Sequence, residues 1–147
     1  MTRRTLIIAI VVFAIAGIAI AVAITRDVAG SEAGLGLPTE NLVERPFSDS
    51  TPISGTLHVA GNGCFHLDAD DGSRYFVVWP EGFRSDAAEV VAPGGVRFGD
   101  GAPVAGDGWA RDADDVIAAA GGPDGYMDAV LGYCAEEEQI AVLHAAS

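Results

Sequence analysis

Residues 53–67 read ISGTLHVAGNGCFHL. Ile53, Leu57 and Val59 alternate with Ser54, Thr56 and His58, the period-two pattern of a strand with one buried face. Gly61-Asn62-Gly63 suits a three-residue hairpin loop in which a glycine takes positive φ. Such a loop sets Ala60 opposite Cys64, Val59 opposite Phe65, His58 opposite His66 and Leu57 opposite Leu67. Apolar side chains then meet on one face, and small or polar ones on the other. A two-residue loop at Asn62-Gly63 would oppose Val59 to His66 and mix the faces. A single strand kinked at the glycines keeps the same parity, so hairpin and bent strand both stay open.

Downstream, Asp70-Asp71-Gly72 marks a second turn before residues 74–79, RYFVVW. Both faces of that strand are apolar, as in a strand covered on two sides. Pro80 ends it. Further short strands are expected near 89–92, 96–98 and 102–105, divided by Pro93-Gly94-Gly95 and Gly99-Asp100-Gly101. Helical signals come late. Asp112 can cap a short helix over 113–120, with Asp114 and Asp115 in its first turn, where the helix dipole favours anions. Pro123 opens a second helix with Tyr126, Met127, Val130, Leu131 and Cys134 on one face. A closing strand is expected over 139–144. The fold expected is a small mainly-β barrel or sandwich with one or two C-terminal helices.

Upstream, Arg3 and Arg4 precede an uncharged run from Leu6 to Ile24, LIIAIVVFAIAGIAIAVAI. At helical rise this run covers roughly 28 Å, close to the ~30 Å hydrocarbon core of a bilayer. It has no polar face, so it reads as an N-terminal transmembrane helix. The two leading arginines hold the N-terminus in the cytoplasm and send the rest outside. Ala21-Val22-Ala23 offers a cleavage site and Arg3-Arg4 a twin-arginine resemblance, but the run exceeds a secretory h-region, which favours an uncleaved signal anchor. The organisation expected is a cytoplasmic tip and anchor over 1–26, a flexible linker over 27–52 and an extracytoplasmic β-rich domain over 53–147. The linker assignment rests on Gly, Ser, Pro and scattered charge without a period.

All 21 acidic residues lie beyond the span, from Asp27 to Glu138, against five arginines (Arg45 to Arg111), a net charge of −16 for residues 27–147. The chain has no lysine. Such a surface repels phosphates, so nucleic acid is excluded as a partner. The partners expected are the membrane, through residues 6–24, and an envelope protein or small ligand.

Export also bears on the cysteines. Outside the membrane disulfides persist, and two cysteines allow one pairing, Cys64 with Cys134. Closing so long a loop contributes about 4 kcal/mol in the chain-entropy description, much of the stability of a small domain.

Catalytic signatures are missing. There is no G-x-S-x-G, H-E-x-x-H, P-loop, C-x-x-C or dinucleotide fingerprint. The acidic runs at Asp68 and Asp112 fail the calcium-loop spacing, because position 5 falls on Gly72 and Val116. Turn and cap chemistry accounts for those aspartates. His58 and His66, facing each other on the outer surface in the hairpin register, are candidates for Zn²⁺ or Cu²⁺, with His144 needed as a third ligand. No spacing fixes that third ligand, so no metal and no cofactor are assigned. Tyr75, Trp79 and Trp109 are candidates for lining a ligand groove, against the plainer reading of aromatic core. No catalytic residue is assigned.

Taken together, the anchor, the linker, GTLHV (55–59), GCFHL (63–67), DDG (70–72), VVWPEGF (77–83) and the GDG-rich region resemble small membrane-anchored actinobacterial proteins of unknown function. The resemblance covers 55–108 and implies a β-rich domain outside the membrane. The five-strand-plus-helix pattern is similar to an OB-type barrel, a fold that hosts many functions. The function expected is a single-pass envelope protein with a binding or structural module. The alternative is an extracytoplasmic hydrolase or metal-dependent enzyme using the acidic loops and histidines.

Overall fold

The computed structural model describes residues 36–43, 49–134 and 139–147. The expected membrane span at 6–24 lies outside them. Among the described residues no helix is long and apolar enough to cross a membrane.

Among the described residues, after a 3₁₀ turn at Glu40–Leu42, eight strands and two α-helices follow in chain order: β1 (Thr51–Val59), β2 (Phe65–Ala69), β3 (Arg74–Val78), β4 (Arg84–Asp86), β5 (Glu89–Val91), β6 (Arg97–Phe98), β7 (Pro103–Asp112), α1 (Ala113–Ala119), α2 (Tyr126–Cys134) and β8 (Gln139–Ala146). Five strands close a barrel in the order β1-β2-β3-β8-β7, and β4-β5-β6 form a separate small sheet. Neighbours in the barrel are antiparallel except β3 and β8, which run parallel. Barrel, not sandwich, is therefore the architecture.

The hairpin between β1 and β2 has the register its parity demands: Leu57 opposite Leu67, His58 opposite His66, Val59 opposite Phe65. Ala60 N–H donates to the Cys64 carbonyl (2.9 Å) and Gly63 N–H to the Ala60 carbonyl (2.9 Å), with Gly63 at φ 83°. This is a turn followed by a left-handed glycine, a frequent three-residue hairpin loop. The same device recurs twice. Ala69 pairs with Ser73 around Asp70-Asp71-Gly72, and Ala92 pairs with Val96 around Pro93-Gly94-Gly95, each with its third loop residue at positive φ.

Parity divides the apolar residues into two cores. Odd-numbered residues of β1, β2, β3 and β8, with Trp79 just after β3, fill the barrel: Ile53, Leu57, Leu67, Val77, Trp79 and Leu143 are all buried, and Val90 and Phe98 of the small sheet add to the same cluster. Even-numbered Phe76, Val78, Ile140 and Val142 point outward and are covered by Val116 of α1 and by Met127, Val130 and Leu131 of α2. β3 is thus buried on both faces, as its sequence demands. Tyr126, expected on the buried face of α2, is 40% exposed.

The helices begin and end by identifiable chemistry. Asp112 is extended (φ −68°, ψ 150°) ahead of α1, but its side chain makes no cap hydrogen bond. Gly122 N–H closes the far end on the Ile117 carbonyl (2.9 Å), with Gly121 left-handed at φ 100°, the Schellman arrangement. Cys134, the last residue of α2, is bonded to Cys64 with Cα atoms 5.5 Å apart.

Two further features depart from the sequence reading. β7 is one strand of ten residues that runs through Gly106-Asp107-Gly108 instead of stopping near 105, with a register shift at Asp107/Gly108. Within the stretch read as a linker, residues 36–43 lie against the barrel: Trp79 N–H donates to the Pro38 carbonyl (2.9 Å) and Glu40 N–H to the Trp79 carbonyl (2.7 Å).

Candidate functional site

A cleft of about 220 Å³ opens where β1 begins, β2 turns into β3 and β7 passes beside them. Thr51, Pro52, Ile53 and Ser54 form one side, Ala69, Asp70, Asp71 and Tyr75 the other, and Ala110 closes the end. The hairpin loop positions the two aspartates: with Gly72 left-handed, the chain reverses at once and presents Asp70 and Asp71 at the rim. The Ser54 hydroxyl donates to Asp70 Oδ2, and Asp70 N–H donates to the Ser54 carbonyl (3.1 Å). Tyr75 O–H reaches Asp71 Oδ2 at 3.4 Å, and Ser73 N–H donates to Asp71 Oδ1 at 2.8 Å. The Ser73 backbone N–H, first among its partners, holds the Asp71 carboxyl below the usual carboxylate range. Arg111 folds back so that its guanidinium meets the carbonyl of Ala110 (2.8 Å) at the cleft's end.

Chemically, the cleft offers carboxylate and hydroxyl acceptors above an apolar floor. A nucleophile needs a base within hydrogen-bond reach. Ser54 has a carboxylate beside it, but the described imidazoles lie elsewhere.

His58 and His66 do face each other, with ring centroids 6.4 Å apart. Their surroundings differ. His58 is partly exposed and its Nδ1 lies 3.5 Å from Asp100 Oδ1, an oxygen that also accepts Val59 N–H (2.8 Å). His66 is not on an open outer surface as expected: it is buried, 5% exposed, with its ring edge-on to Phe76 at 5.9 Å. The physical reason is that its outward-facing neighbours Cys64 and Phe76 belong to the cluster that α1 and α2 cover. His144 packs on Trp109 instead (centroids 5.1 Å apart), so it supplies no third ligand to the pair. Among the described residues no group of three or more His, Cys, Asp or Glu side chains is placed to hold a metal ion. Beyond the pair, Arg74 Nε donates to Asp68 Oδ1 at 2.5 Å across β2 and β3, and this guanidinium holds the Asp68 carboxyl below its ordinary range.

The three aromatic candidates do not share a groove. Tyr75 and Trp79 point into the barrel, and Trp109 points out into the helix-covered core. A barrel this narrow is filled by its own side chains, so a ligand has to bind at its mouth. Tyr75 alone reaches the cleft. Sequence reasoning missed Ser54 and Thr51 as site residues. Asp70 and Asp71 it read as turn formers, which they are, but the same turn delivers them to the rim. No family model, curated protein or solved structure matches this chain.

Proposed function

We propose that the chain is a single-pass cell-envelope protein, of the small membrane-anchored actinobacterial kind it resembles, whose barrel acts outside the membrane as a binding module. The observation that carries the reading is the cleft: hydroxyl and carboxylate groups from β1 and the β2–β3 turn converge at the mouth of a barrel whose interior is packed. A concave site with a few converging polar groups on an apolar lining is the usual place for a small ligand to bind. The strand order supports an OB-type assignment. β7-β1-β2-β3 is a Greek key in which three consecutive strands are followed by one that returns beside the first, and β8 then closes the barrel. OB barrels bind through loops at the strand ends and the adjoining face.

The carboxylates favour a small ligand, or a group on an envelope partner, that presents ammonium or hydroxyl donors. Amide shifts of the full chain on titration with an amino sugar and its N-acetylated counterpart test this. Shifts confined to Ser54, Ala69, Asp70 and Gly72, larger for the amine, are expected. Saturable shifts centred on His58, or none anywhere, would remove the cleft as the binding surface.

A further inference from the structure

Residues 36–43 are composed like a tether, yet they are fastened to one point of the barrel. Trp79 is the residue immediately after β3, and both its main-chain groups are taken by this segment: its N–H by Pro38 and its carbonyl by Glu40. Thr39 forms a parallel bridge with Trp79. Two apolar side chains anchor the flanks, Leu37 against the interior core and Val43 against the helix-covered one. Between them Glu40–Leu42 make a 3₁₀ turn closed by Leu42 N–H on the Thr39 carbonyl (3.0 Å) and Val43 N–H on the Glu40 carbonyl (2.9 Å). Among the described residues no ion pair joins the segment to the barrel.

The fastening point matters because of where β1 starts. The chain enters the barrel at Thr51, and Thr51–Ser54 are one wall of the cleft. Trp79 lies past the other end of β3 from Tyr75, the strand's contribution to that cleft, four residues or about 13 Å along the strand. We propose that residues 36–43 form a strap that moves the mechanical attachment of the N-terminal chain from the cleft wall at Thr51 to Trp79. The strap therefore does two things. It isolates Thr51–Ser54 from whatever pulls on the chain upstream, and it moves the point where that chain meets the domain from Thr51 to Pro38, thirteen residues earlier. Thirteen extended residues reach at most about 45 Å, so docking shortens the reach of the domain by up to that amount. Two main-chain bonds and two partly buried side chains make a small cooperative unit, which can open while the barrel stays folded. The importance of reach rests on the membrane-anchor reading; the strap itself does not.

Amide hydrogen exchange of the full chain, in detergent and in nanodiscs, tests the fastening. The Trp79 and Glu40 amides should be protected. In Leu37→Asp/Val43→Asp that protection should be lost, while the Leu57 amide, bonded to the Ala102 carbonyl, keeps its own. The milder Leu37→Ala should give a partial loss at the same two amides, which covers the case in which the double variant unfolds. Free exchange of Trp79 and Glu40 in the unaltered chain, or their release only together with Leu57, would overturn the strap. Neutron reflectometry on a supported bilayer reads the second consequence: the domain should stand at a greater maximal height in the released variant, and an unchanged height refutes the shortening. A chain that fails to insert in the bilayer counts against the anchor and leaves the exchange result standing.

Discussion

Cys64 opens the run into β2 and Cys134 closes α2, and the bond between them spans 70 residues. Both sulfurs sit in the cluster that joins the helices to the outer face of the barrel, and both residues are buried. The bridge is therefore a staple between a helix end and a hairpin. Cys64→Ser should lower stability by about 2–5 kcal/mol, the range for small secreted domains. Cys134→Ser should lower it by a similar amount, and the double variant by little more, since one bond is lost in all three. Denaturant unfolding of each form gives the comparison, and additive losses would mean the cysteines act separately.

Close strand crossings make three glycines irreplaceable. A methyl group at Gly106 would fall 1.9 Å from the Ala145 carbonyl oxygen, at Gly108 2.3 Å from that of Val142, and at Gly55 2.3 Å from that of Asp68. Each neighbour is backbone and cannot step aside. Gly106→Ala should destabilise by about 1–3 kcal/mol or more through overpacking. Gly132, exposed on α2 with nothing near the added carbon, gives the opposite sign: Gly132→Ala should gain about 0.5–1 kcal/mol of helix stability. Equal effects at the two positions would rule out the crossing argument.

Asp68 and Asp71 are carboxylates whose protonation in acid should cost stability. Both carboxyls are held below their ordinary range, Asp68 chiefly by its hydrogen bond from Arg74 and Asp71 by the Ser73 N–H. A lowered folded-state pKa stabilises above the unfolded value, near pH 4, and the contribution disappears as pH falls through the folded value. Stability should thus be insensitive to these two groups at neutral pH and decline below about pH 4. Arg74→Ala should bring the carboxyl titration of Asp68 back up, as read from its side-chain carbon shift, while Asp71 stays where it is.

Zinc should bind weakly at best. With His66 buried and His58 turned to Asp100, the pair cannot offer two free nitrogens and a third ligand to one ion. Calorimetry of the full chain with Zn²⁺ is expected to show no tight stoichiometric event. A tight site abolished by His58→Ala would contradict this.

Topology gives a cellular test of the anchor reading. Arg3 and Arg4 ahead of the apolar run predict that protease added to intact protoplasts cuts after about residue 27. Digestion only after lysis would place the domain in the cytoplasm instead.

Much of the barrel was legible because parity is a strong constraint. Ile53 to Leu67 admits one hairpin register that sorts apolar from polar, and Arg74 to Trp79 admits only a strand covered on two sides. Gly121 ends α1 as its chemistry requires, whereas Asp112 precedes that helix without a side-chain cap and α2 starts three residues after Pro123. Other features needed the third dimension. Gly106-Asp107-Gly108 has the composition of a turn, and only the approach of β8 shows why a continuing strand needs glycine there. His66 alternates as a polar outward residue, and nothing local says that helices far downstream will cover it. Leu37 and Val43 sit in Gly- and Pro-bearing sequence without a period, so their contacts with two different cores leave no trace in the pattern. The cleft was hidden for a related reason: Ser54 and Asp70 become neighbours through hairpin pairing that also serves the core.

β8 is last in chain order, yet it lies between β3 and β7 and pairs with both. Until it arrives, β3 and β7 are two open edges, with the apolar residues of both cores exposed between them. A chain emerging N-terminus first therefore carries an unclosed, adhesive sheet until β8 has followed. Folding of this domain becomes a single late event, timed by the arrival of β8. Loss of a few residues such as Val142 and Leu143 would leave a protein that has made nearly every strand and can close none of them.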